Sequence, residues 1–256
     1  MSRMHATKDF WLAALRADGP ALRAAAAEAG AASPVPSCPP WTVADLVSHA
    51  GSVLSWVRGF VASRATTMPA PRREPAPRPD WPALLDWYDR QLAETGGTLE
   101  ALDPELPAWN WAPQAKRVGF WHRRLAHELA MHRWDAQLSL GRPEPIEAKL
   151  AVDGVSEVLD TWLPAGRRSG PTDRHGVVLL TATDASQEWF VRLRGAGVAL
   201  LDTSTILDSD DHHARAGAAG TASDLLLMLW GRVLPDVLDV TGDAELLTAL
   251  RADRKT

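Results

Sequence analysis

The stretch Arg123-Arg124-Leu125-Ala126-His127-Glu128-Leu129-Ala130-Met131-His132-Arg133-Trp134-Asp135-Ala136 decides how the first half of the chain is read. Side chains on a helix advance by about 100° per residue, which places Trp121, Leu125, Glu128, Leu129, His132, Asp135 and Ala136 on one arc. Three of these seven residues are polar or charged, on a face otherwise built for a core. Turning a carboxylate or an imidazole inward is costly unless the group is paired or binds a metal, so the arc predicts a site.

A second helix supplies the other half. Thr42, Leu46, His49, Val53, Trp56 and Phe60 share its apolar face, with His49 near the middle. Thr42 can cap the helix start, and Asp45 three residues on completes a shortened capping box. A lone core histidine is ordinarily a hydrogen-bonded structural residue, but two helices aiming ligand-type groups inward favour a metal. The set is His49, Glu128 and His132. His127 and His132 lie five positions apart, one too many for the H-E-x-x-H metalloprotease helix, and point about 140° apart. His127 therefore belongs on the flank as a packed or surface histidine. Two imidazoles and one carboxylate leave a tetrahedral zinc ion one open position, as in catalytic sites. Arg124 and Asp135, about one turn either side of the pair, are candidates to orient the ligands or contact a bound cofactor; each could equally be half of an ion pair.

Working outward, residues 10–30 read as a helix with Gly19-Pro20 as a point of interruption, residues 42–62 as the second helix and 81–102 as the third. The fourth spans 118–140 and stops at Gly141. A Pro/Arg-rich connection over 68–79 and a Pro/Trp-rich loop over 103–113 separate them. Four helices with a long second connection describe an all-α four-helix bundle over residues 1–145. Beyond it the pattern changes. A helix over 146–163 is followed by strands at 177–183 and 188–194 joined by a turn at 184–187, a helix over 222–232, a short strand at 237–240 and a last helix from 244. This describes an α+β domain over residues 146–256.

The composition sets bounds on function. Over 256 residues the net charge is -5 with 23% charged side chains, which offers no electrostatic footprint for nucleic acid. The single cysteine, Cys38, cannot form an internal disulfide; without a neighbouring base it reads as structural. The apolar run at residues 10–15 is too short for a signal peptide or a membrane span, so the expected location is the cytoplasm. Twelve Trp against one Tyr place large rings in the core and pocket walls.

The motif Val35-Pro36-Ser37-Cys38-Pro39-Pro40-Trp41-Thr42-Val43-Ala44-Asp45-Leu46-Val47-Ser48-His49, together with residues 123–136, resembles the mycothiol-dependent maleylpyruvate isomerase family, actinobacterial proteins with a DinB-like metal-binding bundle. Residues 220–232 and Val240-Thr241-Gly242-Asp243 resemble its C-terminal domain, whose fold is sterol-carrier-like. One departure is Pro40, where most members carry glycine before the tryptophan. The resemblance implies zinc on His49, Glu128 and His132, mycothiol as the thiol, and a functional arginine at Arg232, which would bind a substrate or thiol carboxylate. A helix-end arginine meeting carbonyls or solvent is the plain alternative for Arg232.

Three functions stay open at this point: an enzyme that activates mycothiol for addition or transfer to a small electrophile, maleylpyruvate cis-trans isomerase proper, and a non-catalytic binding protein whose metal holds the bundle together. A monomer or homodimer is expected, with no nucleic-acid or membrane partner.

Overall fold

The computed structural model describes residues 7–68, 80–201 and 215–253, and the chain divides into two compact units, residues 1–144 and 145–256. The expected connection over 68–79 lies, apart from its first residue, outside the described residues.

The first unit is all-α. Its four long helices are α1 (Lys8–Ala29), α2 (Val43–Ala62), α3 (Trp81–Ala101) and α4 (Val118–Leu138). Helix α1 packs along α4 and α2 along α3, while α2 also meets α4 and α1 meets α3. The expected break at Gly19-Pro20 does not occur, because Pro20 sits inside an uninterrupted α1. Packing explains it. Gly19 is buried where a Cβ would come within 2.7 Å of Leu92, so glycine lets α1 and α3 approach, and the Tyr88 hydroxyl donates to the Gly19 carbonyl at 3.1 Å. Tertiary contacts here outweigh the local preference of Gly and Pro to end a helix.

Helix α2 starts as its sequence requires. The Asp45 N–H donates to Thr42 Oγ1 at 3.3 Å and the Thr42 N–H donates to the Asp45 carboxylate at 2.9 Å, a reciprocal capping box. Helix α4 has no side-chain cap. Two of its first N–H groups go instead to the loop before it, Val118 to the Leu106 carbonyl at 2.9 Å and Gly119 to that of Pro104 at 2.8 Å. A Cβ at Gly119 would lie 3.2 Å from the Pro104 carbonyl, so the loop fits closely against the helix start. Beyond α4, Gly141 adopts φ 70°, as expected of a residue that ends a helix.

The second unit is α+β. Helix α5 (Ala148–Glu157) passes into one π-helical turn (Val158–Trp162), where a continuous α-helix was expected. Strands β1 (His175–Ala182), β2 (Gln187–Arg194), β3 (Gly197–Leu201), β4 (Ala216–Gly220) and β5 (Asp239–Gly242) form one sheet in the order β3-β2-β1-β4-β5. All neighbours are antiparallel except β1 and β4, which run parallel with Val178 opposite Ala216. Val178 and Leu180 of β1 face Val191 and Trp189 of β2, and all four are buried. The Trp189 indole N–H donates to the Ser156 hydroxyl at 3.0 Å, tying β2 to α5.

Strands β3 and β4 were not anticipated. The sequence of β4, Ala-Gly-Ala-Ala-Gly, has almost no strand propensity. Its small residues answer to its neighbours: a Cβ at Gly217 would meet Thr241 Oγ1 at 2.7 Å, and one at Gly220 would meet Leu238 at 2.5 Å. Helix α6 (Ala222–Leu229) is shorter than expected, and Arg232 lies just past it. The short strand expected at 237–240 is displaced: a 3-10 turn occupies Pro235–Val237 and β5 begins at Asp239. Helix α7 (Ala244–Thr248) follows. Among the described residues no helix is long and apolar enough to cross a membrane.

Candidate metal centre

Helices α2 and α4 bring His49, Glu128 and His132 together, with one ligand atom from each inside a 4.8 Å span. His49 Nε2 lies 3.0 Å from Glu128 Oε1, and His132 Nε2 lies 3.4 Å from the same oxygen. The side chains of His49 and Glu128 are 15% and 14% exposed and that of His132 is 7% exposed, so the cluster is shielded without being sealed. The i,i+4 spacing of Glu128 and His132 stacks them on one face of α4, and His49 meets them from the apolar face of α2.

Arg124 and Asp135 both touch this cluster. The Arg124 guanidinium donates to Glu128 Oε2 at 3.3 Å, and Asp135 Oδ2 lies 2.8 Å from His132 Nδ1. Neutral histidine has one N–H and one lone pair, so an Nδ1–H held by Asp135 leaves the Nε2 lone pair facing His49 and Glu128. Opposite a carboxylate oxygen, that lone pair is repelled unless the ring is protonated or a cation lies between. Without a cation, protonation resolves it. Burial would lower the His132 pKa, but hydrogen bonds to Asp135 and Glu128 overcome this and raise it to about 9. Burial alone would raise the Glu128 pKa; the hydrogen bonds from His132 and His49, with the charges of His132 and Arg124, hold it well below the ordinary carboxylate range.

The donor chemistry therefore fits a divalent ion. Two imidazole nitrogens and one ionised carboxylate oxygen converge, and a second carboxylate fixes the tautomer of one imidazole, as around catalytic zinc.

Sequence reasoning gave no role to two further residues. Ser37, in the proline-rich loop before α2, donates its hydroxyl to Asp135 Oδ1 at 2.6 Å. Trp41 closes the cluster from that loop, its ring centroid 4.8 Å from that of His49 and 6.2 Å from that of His132. Both stand in the motif quoted for the family resemblance, which was the one available signal. Cys38 lies in the same loop, its sulfur 3.7 Å from Asp135 Oδ2. His127, assigned to the flank, is buried at 3% exposure, a packed histidine.

Away from the His49, Glu128 and His132 cluster, toward the α2 C-terminus and the start of α4, Trp56, Phe60, Trp109 and Trp121 form an aromatic group with centroid separations of 4.9–6.5 Å. In the second unit, the Arg232 guanidinium lies 5.8 Å from the Trp230 ring centroid and donates to the Trp230 carbonyl at 3.3 Å. Trp230 in turn packs edge-on against Trp162 at 4.8 Å.

Comparison with known proteins agrees with this architecture. The family model described as the mycothiol maleylpyruvate isomerase N-terminal domain matches residues 12–137, and that described as the MDMPI C-terminal domain matches residues 149–249. Two solved structures are similar in fold, both crystal structures of mycothiol-dependent maleylpyruvate isomerase, one of them a histidine-to-alanine mutant. The mutant is 12% identical and the other 13%, each with a TM-score of 0.64, covering 94% of this chain and 96% of that one. No curated protein matches. With one family model matched in each of its two units, the chain belongs to the mycothiol-dependent maleylpyruvate isomerase family.

Proposed function

We propose that the chain is a metal-dependent enzyme that presents mycothiol as a thiolate for addition or transfer to a small electrophile, with a divalent ion, zinc in our reading, on His49, Glu128 and His132. The observation that carries this is the convergence of those three donors beside Asp135, in a chain of this family. Bound there, the ion would lower the pKa of a coordinated thiol and supply thiolate near neutral pH.

The chain's own side chains do the rest. Asp135 holds the His132 ring in one tautomer, Arg124 keeps the second oxygen of Glu128 engaged, and the Trp41 ring limits water around the imidazoles. Arg232 is the candidate to hold a carboxylate of substrate or thiol through its planar fork. In this reading residues 1–145 are a DinB-like four-helix bundle carrying the metal, and residues 146–256 a sterol-carrier-like α+β domain in which Arg232 lies just past α6.

A second reading is supported by the names of the two similar structures: cis-trans isomerisation of maleylpyruvate to fumarylpyruvate, with the thiol added and then released unchanged. Zinc-loaded protein assayed with mycothiol and either maleylpyruvate or a panel of electrophiles separates the two. Fumarylpyruvate formed without thiol consumption identifies the isomerase, and stoichiometric thiol loss identifies transfer. Neither outcome, in protein that binds zinc and mycothiol, would refute both readings and leave a non-catalytic binding protein. His49→Ala is the control that should abolish whichever activity is found.

A further inference from the structure

Asp135 is fully buried, and both of its carboxylate oxygens are engaged. Oδ2 is taken by His132 Nδ1 at 2.8 Å, on α4 itself. Oδ1 is taken by the hydroxyl of Ser37 at 2.6 Å, across 98 positions of sequence. A carboxylate can turn about its last side-chain bond, a soft torsion, so the partner on the far oxygen determines where the near one points.

Ser37 suits that task. It is 7% exposed and sits in a loop tied to itself by backbone hydrogen bonds: Val35 to the Trp41 carbonyl at 2.9 Å, Cys38 to that of Val35 at 3.0 Å, and Trp41 to that of Cys38 at 2.8 Å. The loop's end, Trp41, is the residue packed against both imidazoles.

We propose that Ser37 is a positioning residue of the metal centre: its hydroxyl sets the plane of the Asp135 carboxylate, which holds the His132 Nδ1–H and keeps Nε2 directed at His49 and Glu128. This rests on the reading of those three side chains as a metal site. Loss of the hydroxyl takes a charge-assisted donor from a buried carboxylate and relaxes the alignment of one ligand.

The test is zinc affinity of the full chain, measured by competition with a chromogenic chelator, with unfolding of the metal-free protein followed in parallel. Ser37→Ala should weaken zinc about tenfold, Ser37→Thr should stay within about twofold of wild type because it keeps the hydroxyl, and Ser37→Cys, a weaker donor, should fall between. On an Asp135→Asn background, Ser37→Ala should weaken zinc no further. A purely structural serine would lower the stability of the metal-free protein and leave zinc affinity unchanged. That result, in a wild type that binds zinc, overturns the inference and leaves the metal site standing. A wild type without zinc affinity overturns both. Should Ser37→Ala not fold, the milder pair decides: Ser37→Cys binding zinc as tightly as Ser37→Thr refutes the role.

Discussion

Replacing Glu128 by glutamine tests the metal centre most directly, because it removes a charge without changing a shape. The carboxylate accepts from His49 at 3.0 Å and Arg124 at 3.3 Å and lies 3.4 Å from His132. An amide keeps one oxygen for Arg124 and turns its NH2 toward the imidazoles, so the packing survives. In the metal-free protein two terms oppose each other. Charge-assisted hydrogen bonds contribute about 1.5–3 kcal/mol each, while removing a buried carboxylate returns its desolvation cost. The balance should be a loss of about 1–2 kcal/mol, since Arg124 is left with a weaker partner; at roughly 2–4 °C per kcal/mol for a chain of this size, Tm falls by about 2–8 °C. Zinc makes the contrast larger. At a thousand times its Kd a ligand that binds only the folded state adds about 4 kcal/mol, or about 8–16 °C of Tm in the wild type. Glu128→Gln, with a neutral amide where the anionic ligand stood, should show almost none of that shift. Thermal unfolding followed by tryptophan fluorescence, with and without zinc, reads both quantities. A zinc-induced shift in Glu128→Gln equal to that of the wild type would show that Glu128 is not a ligand. Absence of any shift in the wild type would remove the metal reading altogether.

Gly51→Ala places a Cβ 2.2 Å from the Trp87 ring, and overpacking of that kind should cost about 1–3 kcal/mol. Gly59→Ala, on the same helix with nothing within 4 Å of the added Cβ, should instead stabilise by about 0.5–1 kcal/mol; urea unfolding of the two variants should give opposite signs. Burial lowers the pKa of His122, outweighing the carbonyls of Leu99 and Val118 that favour its charged form. Its folded value thus lies below the unfolded one near 6.5, so the unfolded chain takes up more protons in acid: stability is full above about pH 6.5 and declines as pH falls toward the folded value, by up to about 1.4 kcal/mol per pH unit. His122→Asn should flatten that part of the profile of unfolding midpoint against pH. Arg232→Lys, which keeps the charge and loses the planar fork, should raise KM about tenfold with zinc affinity unchanged; an unchanged KM would assign Arg232 a structural place beside Trp230.

How far the molecule could be read from its sequence depended on whether a residue's partner was set by helical periodicity. Glu128 and His132 are neighbours by the geometry of α4 alone, and one imidazole in the middle of the apolar face of α2 has to face inward, so their convergence was legible. Ser37 was not: it lies in a loop with no period, and its partner is 98 positions away. Strand β4 was hidden for a similar reason, since the close approach of Thr241 and Leu238 selects its two glycines and strand propensity does not. The arc drawn on α4 also rested on a narrower ground than it assumed. It supposed one buried face and one wet one, yet His122, His127, Arg133 and Trp134, off that arc, are buried too. The Arg133 guanidinium bonds Asp18 of α1 at 2.9 Å and the Glu144 carbonyl at 2.8 Å. On a helix covered nearly all round, burial does not distinguish a ligand from a packed histidine. What does is a second ligand-type side chain one turn away and a third on a facing helix, a grouping that among the described residues is formed by His49, Glu128 and His132 and leaves out His127.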